Sequence, residues 1–443
     1  MDVTNKLLAC LALIFIAGCN SSPHSNSYSN STPGKQLDSL IKSHGLTGTP
    51  VSSSAIPSIN DPIAQLGKRL FFSKSLSGNE DTACVSCHHP QLGGGDNLSL
   101  PIGVDAVVAE LLGPGPRGGL GRLHRTGAAD FDGGPTVPRN APTTFNIAFW
   151  NTFMFHDGRI EKNADNSIRT PDVAHGTGDP NAGQNLVQAQ ARFPLTSKEE
   201  MKGFAHEDKN NQGFREFIAQ RLGGYGAGAD PLRNNVYWLD KFRVAFKQPL
   251  ASAESLITEK NIAFAIGEYQ RSQRFIATPW RHYVRGNHSA LSASAKRGAV
   301  LFMKSKKHGG ADCASCHSGD FFTDEAFHNI GMPQMGRGKG DGAGKEEDFG
   351  RFRETKLAVD KFAFRTPSLL NVEMTGPWGH TGAYTTLESV VRHHLEPHHS
   401  VANYDEGKLN QTGIQHLAKL DDNTKKALNY YNFALKFRKR INL

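Results

Sequence analysis

Apolar residues recur at helical spacing in several parts of this chain. Between Glu254 and Ile276 the apolar positions stand roughly three or four residues apart, as on the buried face of a helix. They are Leu256, Ile257, Phe264, Ile266 and Tyr269. Residues 66–72 and 296–302 have a helical pattern as well. No sustained alternation of apolar and polar residues occurs, so the pattern predicts a mainly α-helical protein with long loops.

The N-terminus has the pattern of an export signal. The apolar run over 7–17 is too short to span a bilayer but suits the apolar part of a signal peptide. The small residues before Cys19 resemble a lipoprotein cleavage box, and Asn20 resembles a signal for sorting to the outer membrane; an ordinary cleaved signal with an incidental Cys19 is the alternative. We predict a signal peptide over 1–18, a lipid anchor at Cys19, a flexible Ser/Asn-rich tether over 19–55 and a location on the periplasmic side of the cell envelope.

Length and charge restrict the remaining possibilities. The chain has 443 residues, enough for two domains, and its 46 glycines and 22 prolines agree with extensive loops. The formal net charge of +8 is scattered along the chain. Because no Lys/Arg run is present, nucleic acid is not a predicted partner.

The cysteines carry the strongest chemical signal. Two of the six lie in the signal region, and the other four form two Cys-x-x-Cys pairs, each followed directly by histidine. This spacing lets two thiols add to the vinyl groups of one porphyrin while the imidazole reaches the iron. The sequence therefore predicts two covalently bound haem c groups, held by Cys84, Cys87, His88, Cys313, Cys316 and His317.

Both motifs belong to a wider internal repeat. Similar segments precede and follow each motif in the same order and at roughly the same spacing. The paired segments are 66–72 and 296–302, 139–146 and 365–371, and 155–158 and 379–382. We predict two related cytochrome c-like haem domains, over 56–284 and 285–443, with long loops wrapped around the haems.

With these motifs the chain resembles the bacterial di-haem cytochrome c peroxidase and MauG superfamily. The resemblance runs from about residue 61 to about residue 396 and leaves two long insertions, roughly 104–135 and 163–184, without an interpretation. The segments that carry it are 70–72, 138–143, 157–159 and 375–380. It implies that peroxide reacts at the N-terminal haem, that the C-terminal haem stores and relays an electron, and that a calcium ion lies between them.

By position, Glu200 matches the distal acid of the family. Peroxide on iron needs one proton moved from its near oxygen to its far oxygen, and a carboxylate above the iron can make both transfers. Gln190 could hold the peroxide or a water beside it. Slippage of the register to Glu199, or a solvated helix turn, is the alternative reading.

The resemblance also implies calcium ligands and an electron relay. The positions that match the calcium ligands are Asn140, Thr375 and Pro377, and hard oxygen donors of this kind suit the ion; Asn140 could instead cap a turn. His156 stands where the family has an inter-haem tryptophan. Trp378 is a possible substitute relay, and so is Trp150, which we interpret first as core packing.

Two further departures concern the haem ligands. Val104 stands where classical peroxidases carry the histidine that closes the N-terminal haem, so that haem is expected to be open, unless an insertion residue such as His124 replaces the ligand. His394 matches the position of the second ligand of the C-terminal haem, and a His/His pair lowers the potential relative to His/Met. His393, His398 and His399 are also candidates for this ligand.

The expected function is reduction of hydrogen peroxide to water with electrons from a small cytochrome c or cupredoxin. A MauG-like oxidase of a side chain in a protein substrate and a non-catalytic di-haem electron carrier are the competing functions. A homodimer is possible, because members of this superfamily often form one.

Overall fold

The computed structural model describes residues 32–111, 135–230, 235–409 and 411. The predicted signal peptide, Cys19 and His124 lie outside these residues. The described part is mainly α-helical, as predicted. Its α-helices are α1 Pro33–Ser43, α2 Pro62–Phe71, α3 Cys84–Cys87, α4 Leu186–Ala191, α5 Asn211–Gly223, α6 Val236–Phe246, α7 Ala253–Leu256, α8 Glu259–Ser272, α9 Pro279–Val284, α10 Ala293–Met303, α11 Phe352–Thr355, α12 Leu387–Leu395 and α13 Pro397–Ala402.

The strands are very short. β1 Phe153–Met154, β2 Ile160–Lys162 and β3 Ile168–Arg169 form an antiparallel sheet in the order β1-β2-β3. β4 Phe327–His328 pairs antiparallel with β5 Phe364–Arg365, with Phe327 opposite Arg365. Strands of this length agree with a sequence that lacks sustained period-two alternation.

The largest core lies between α2 and α8. Gly67 of α2 packs so closely on α8 that a Cβ there would lie 1.8 Å from the carbonyl oxygen of Ala265, and only glycine permits this approach. Phe71 meets Tyr269 edge-on, with ring centroids 5.2 Å apart. Cys84 packs against the same core, which therefore supports the first haem motif.

The helix predicted over 254–276 is two helices. The hydroxyl of Thr258 accepts a hydrogen bond from the backbone amide of Asn261 at 3.2 Å and so caps the start of α8. This cap ends the short α7 and restarts the chain as α8, which ends at Ser272.

The prediction of a flexible tether over 19–55 is wrong for its last part. Residues 33–43 form α1, with Pro33 in its first turn. Leu37 of this helix is fully buried and packs in one cluster with Tyr283 and with Val300 and Met303 of α10. The hydroxyl of Tyr283 donates to Asp38 at 2.9 Å, and the backbone amide of Gly48 donates to Asp320 at 2.7 Å. This N-terminal arm therefore packs on the C-terminal half of the molecule.

The second insertion, residues 163–184, contacts the N-terminal half through ion pairs with two buried arginines. Asp179 accepts from Arg192 at 2.8 Å, and Asp172 accepts from Arg215 at 2.6 Å. The insertion is thus tied to the end of α4 and to α5. Within the described ranges, every helix is too short or too polar to cross a membrane.

Candidate functional site

A cavity opens beside α3. Many of the residues selected from the sequence line it, although they come from distant parts of the chain: Cys84, Cys87, His88, Asn140, His156, Gln190 and Glu200. None of the four motif cysteines forms a disulfide. Such cysteines beside an imidazole and a cavity fit a covalently attached haem.

Both motif histidines are held in one tautomer. Nδ1 of His88 lies 3.1 Å from the carbonyl oxygen of Gly94, and Nδ1 of His317 lies 3.1 Å from that of Phe322. Burial lowers the pKa of both imidazoles, to about 4 for His317, and so favours the neutral form of each ring. With Nδ1–H donating to a carbonyl, Nε2 keeps its lone pair for a metal.

Glu200 lies in a π-helical turn, Lys198–Lys202, that two glycines hold in place. A Cβ on Gly103 would lie 2.1 Å from the carbonyl oxygen of Glu199 and 2.8 Å from Cα of Glu200. On the other side, the backbone amide of Gly78 donates to the carbonyl of Met201 at 2.7 Å. The acid is therefore positioned by close backbone contacts.

The cavity distinguishes Glu200 from Glu199. Glu200 lines the cavity, whereas Glu199 does not, and a Glu199 carboxylate oxygen accepts from the hydroxyl of Ser197 at 3.0 Å. Burial raises the pKa of Glu200, while the positive charges of Arg159 and Lys339 oppose this shift. A raised pKa brings a carboxyl closer to the range in which it can both accept and return a proton.

Two glutamine side chains face the cavity without a partner. Oε1 of Gln190 and Oε1 of Gln270 are both buried, and within the described residues neither accepts a hydrogen bond. Buried amide oxygens normally have a donor. Both therefore suit a bound water or substrate. Sequence reasoning selected Gln190 but missed Gln270.

The segment with Val104 contacts the turn of the acid. The backbone amide of Val104 donates to the carbonyl of Glu199 at 3.2 Å, and the Val104 side chain is fully buried outside the cavity. Among the described residues, the cavity histidines are His88 and His156. Nε2 of His156 lies 3.1 Å from the carbonyl oxygen of Asn140, so that ring is already engaged.

The second motif faces His394. The rings of His317 and His394 have centroids 6.4 Å apart, and Nδ1 of His394 lies 2.8 Å from the carbonyl oxygen of Val390. The Nε2 atom of His394 is therefore available to a metal, as in His317.

His393 is held differently from its neighbour. Its Nδ1 lies 2.8 Å from the hydroxyl of Tyr384, and its Nε2 lies 2.9 Å from the carbonyl oxygen of Ile330. Both nitrogens are used, and the ring is fully buried. His394, His398 and His399 are all exposed, but of these three it is His394 whose ring faces His317. This geometry favours His394 over the other three histidines.

The positions expected to bind calcium have mixed surroundings. The amide nitrogen of Asn140 donates to the carbonyl of Leu98 at 2.8 Å, which leaves its side-chain oxygen for another partner. The hydroxyl of Thr375 donates to the carbonyl of Val372 at 3.2 Å, and Pro377 is buried. These contacts permit an oxygen-rich site but do not by themselves bring the three residues together.

Trp150 has a more central place than the sequence suggested. It lines the cavity, and its ring lies 4.9 Å from that of Phe321, four residues after His317. The indole of Trp378 donates to the carbonyl of Val372 at 2.9 Å, and this side chain does not line the cavity. Trp150, unlike Trp378, therefore contacts both the cavity and the segment that follows the second motif.

A buried arginine joins the two halves beside the cavity. Arg139 donates to Asp157 at 2.6 Å and, through two nitrogens, to Asp348 at 2.6 and 2.8 Å. All three side chains are at most 6 % exposed. Arg139 keeps the pKa of Asp348 at about 2, well below the usual value, despite the opposing effect of burial.

Two Cys-x-x-Cys-His sites, one of them beside a cavity that the half-buried Glu200 lines, define a di-haem c-type cytochrome. Residues 61–289, just over half of the chain, match the family model described as di-haem cytochrome c peroxidase. The chain belongs to this family, as the sequence predicted.

Named relatives include both branches of the superfamily. The methylamine utilization protein MauG of Methylorubrum extorquens is 29% identical over 331 residues, covering 75% of this chain and 68% of that protein. The cytochrome c551 peroxidase of Pseudomonas aeruginosa is 26% identical over 364 residues, covering 81% and 80%. A crystal structure of a MauG-like protein associated with microbial copper homeostasis shares the fold, with a TM-score of 0.53, 22% identity and coverage of 86% and 92%.

Proposed function

We propose that this protein reduces hydrogen peroxide to water at its N-terminal haem, held by Cys84, Cys87 and His88. The observation that carries the proposal is Glu200, a carboxyl group with a raised pKa that lines the same cavity as His88. Electrons arrive singly from a small redox protein at the C-terminal haem, held by Cys313, Cys316 and His317.

The side chains of the cavity perform the proton chemistry. When bound, the haem supplies the iron at which the O–O bond of peroxide is reduced. Glu200 takes a proton from the near oxygen and returns it to the far oxygen, so that water can leave. The free Oε1 of Gln190 accepts a hydrogen bond from the peroxide or from a water and orients it.

We propose His394 as the second ligand of the C-terminal haem, since its free Nε2 faces His317. For electron transfer between the sites, the contact of Trp150 with Phe321 supports a route through these two rings. His156 lies next to this route, because the backbone amide of Arg365 donates to its carbonyl at 2.8 Å and the Arg365 guanidinium stacks on the Trp150 ring. Trp378, the other relay expected from the sequence, does not line the cavity.

We further propose that the two haem domains are an internal repeat. Asn146 and Asn371 hold equivalent places in the repeated segments, and each has a left-handed backbone with φ of 59°. Each side chain donates to the carbonyl of Phe275, at 3.3 and 2.9 Å respectively. A calcium ion between the domains, bound by the side chain of Asn140 and by Thr375 and Pro377, remains part of the proposal.

The expected location follows from the sequence alone. Lipidation of Cys19 would hold the protein on the periplasmic side of the outer membrane. Labelling with a radioactive fatty acid tests this, with Cys19→Ser as the variant that should lose the label. A homodimer is proposed on the resemblance, and light scattering of the purified protein tests it.

A MauG-like oxidation of a protein side chain is the second candidate, because Val104 removes the ligand that closes the N-terminal haem in classical peroxidases. Electron paramagnetic resonance of the ferric protein should show one high-spin haem. Two low-spin haems in every oxidation state would leave only an electron carrier. Peroxide consumption that depends on a reduced cytochrome c or cupredoxin supports the peroxidase; peroxide consumption that instead depends on a protein substrate supports the oxidase.

A further inference from the structure

The cavity has a surplus of positive charge. Four cationic side chains line it, and Glu200 is the one carboxylate among its lining residues: the cations are Arg139, Arg159, Lys339 and Arg365. Two of them already have partners, since Arg139 pairs with Asp157 and Asp348 and Arg159 pairs with Asp157. The other two cations need a different explanation.

Arg365 approaches the cavity without a carboxylate partner among the described residues. One of its terminal nitrogens donates to the carbonyl of Phe153 at 2.6 Å, while its Nε is buried and has no acceptor. The guanidinium carbon lies 3.3 Å from the centre of the Trp150 ring. The side chain is thus held in position, but its positive charge has no carboxylate of the described residues to pair with.

Lys339 reaches the same cavity from a glycine-rich loop. Its backbone amide donates to the carbonyl of Glu347 at 2.9 Å, and a Cβ on the neighbouring Gly338 would lie 2.2 Å from the carbonyl oxygen of Glu346. The loop is therefore tightly packed on its own returning segment. Within the described residues the Lys339 ammonium forms no ion pair, although it lies largely out of solvent.

We propose that Lys339 and Arg365 bind the two propionate carboxylates of the N-terminal haem. A haem c attached through its vinyl edge at Cys84 and Cys87 brings two carboxylates into this cavity, and two cations there form no ion pair with a carboxylate of the described residues. Burial lowers the pKa of Lys339 to about 8 and that of Arg365 to about 9, and paired carboxylates would reverse both shifts. Charge-assisted pairs of this kind are the stronger hydrogen bonds in proteins.

The consequence concerns the redox potential. Both cations belong to the C-terminal half, whereas the haem is attached to the N-terminal half. Positive charge near the haem favours the ferrous state, so the C-terminal half raises the potential of the N-terminal haem. The proposal rests on haem attachment at Cys84 and Cys87 and is independent of peroxide reduction.

The test is a spectroelectrochemical titration of the N-terminal haem in the full, covalently loaded protein, without peroxide. Lys339→Gln should lower the midpoint potential of the N-terminal haem. At a fixed applied potential, the ferrous-to-ferric ratio should fall at least about tenfold, which corresponds to about 59 mV for a one-electron couple. Lys339→Arg should keep the wild-type potential. The matched control is Lys345→Gln, since Lys345 is exposed on the same loop.

Variants of Arg365 provide a second, independent test of the proposal. Arg365→Gln should also lower the potential of the N-terminal haem. Arg365→Lys keeps the positive charge and should have a potential close to that of the wild-type protein. If Arg365→Gln does not fold, Lys339→Gln and Arg365→Lys still decide the question. A potential for Lys339→Gln equal to that of Lys345→Gln overturns the proposal, whatever the peroxidase activity is.

Discussion

Replacement of Gly103 by alanine should move the acid that the proposed reaction needs. The added Cβ would lie 2.1 Å from the carbonyl oxygen of Glu199, where an uncrowded contact requires more than 3 Å, so the two backbones must separate by about 1 Å. Glu200 is the next residue and moves with its neighbour. A misplacement of about 1 Å can reduce a rate roughly a hundredfold. We therefore expect the rate constant for the reaction of peroxide with the N-terminal haem to fall by about that factor.

Stopped-flow spectroscopy of the N-terminal Soret band after mixing with peroxide measures this rate constant directly. Gly298→Ala is the matched control, because this residue lies in α10 and a Cβ there meets nothing within 4 Å. Haem content and the ferric spectrum of both variants establish that the haem is attached. A correctly folded Gly103→Ala protein that reacts at the wild-type rate would refute the argument that the close contact positions Glu200.

Further predictions concern the acid, the second ligand and the buried pair. Glu200→Gln should slow peroxide turnover by roughly a hundredfold or more and remove the rise of the rate as pH increases through the raised pKa of Glu200, whereas Glu199→Gln should retain both. His394→Met should raise the potential of the C-terminal haem in a redox titration, and no shift would point to another ligand. Arg139→Met should lower the free energy of unfolding by roughly 3–5 kcal/mol in a denaturant titration, because two buried carboxylates lose their partner; a loss below about 1 kcal/mol would contradict this.

The haem motifs could be predicted because covalent attachment fixes both the residue types and their spacing in the sequence. The position of Glu200 could be predicted only through resemblance, since nothing in a Glu-Glu pair distinguishes a cavity acid from a solvated turn. Which of the two glutamates faces the cavity depends on the close approach of Gly103 to this turn. That approach is a tertiary contact, which the sequence does not display. The roles of Glu200, His394 and the calcium positions stay predictions.

Other features were missed for identifiable reasons. Pro33 followed by Leu37 and Ile41 was a helix signal, but the Ser/Asn-rich sequence before it led to the prediction of a tether. Trp150 was interpreted as core packing because a lone tryptophan gives no information about which aromatic ring it meets. Lys339 and Arg365 lie far along the chain from the N-terminal motif, so no local pattern could assign them to its cavity.

The carbonyl of Phe275 accepts hydrogen bonds from one asparagine of each half, and this arrangement limits how the halves can move. A carbonyl oxygen has two lone pairs, and here it accepts from two donors that belong to different halves of the chain. A rotation of either domain must stretch one of these bonds or drag the connecting segment along. Since the shared atom belongs to the backbone, substitution of the Phe275 side chain cannot release the coupling; the asparagines must be changed instead.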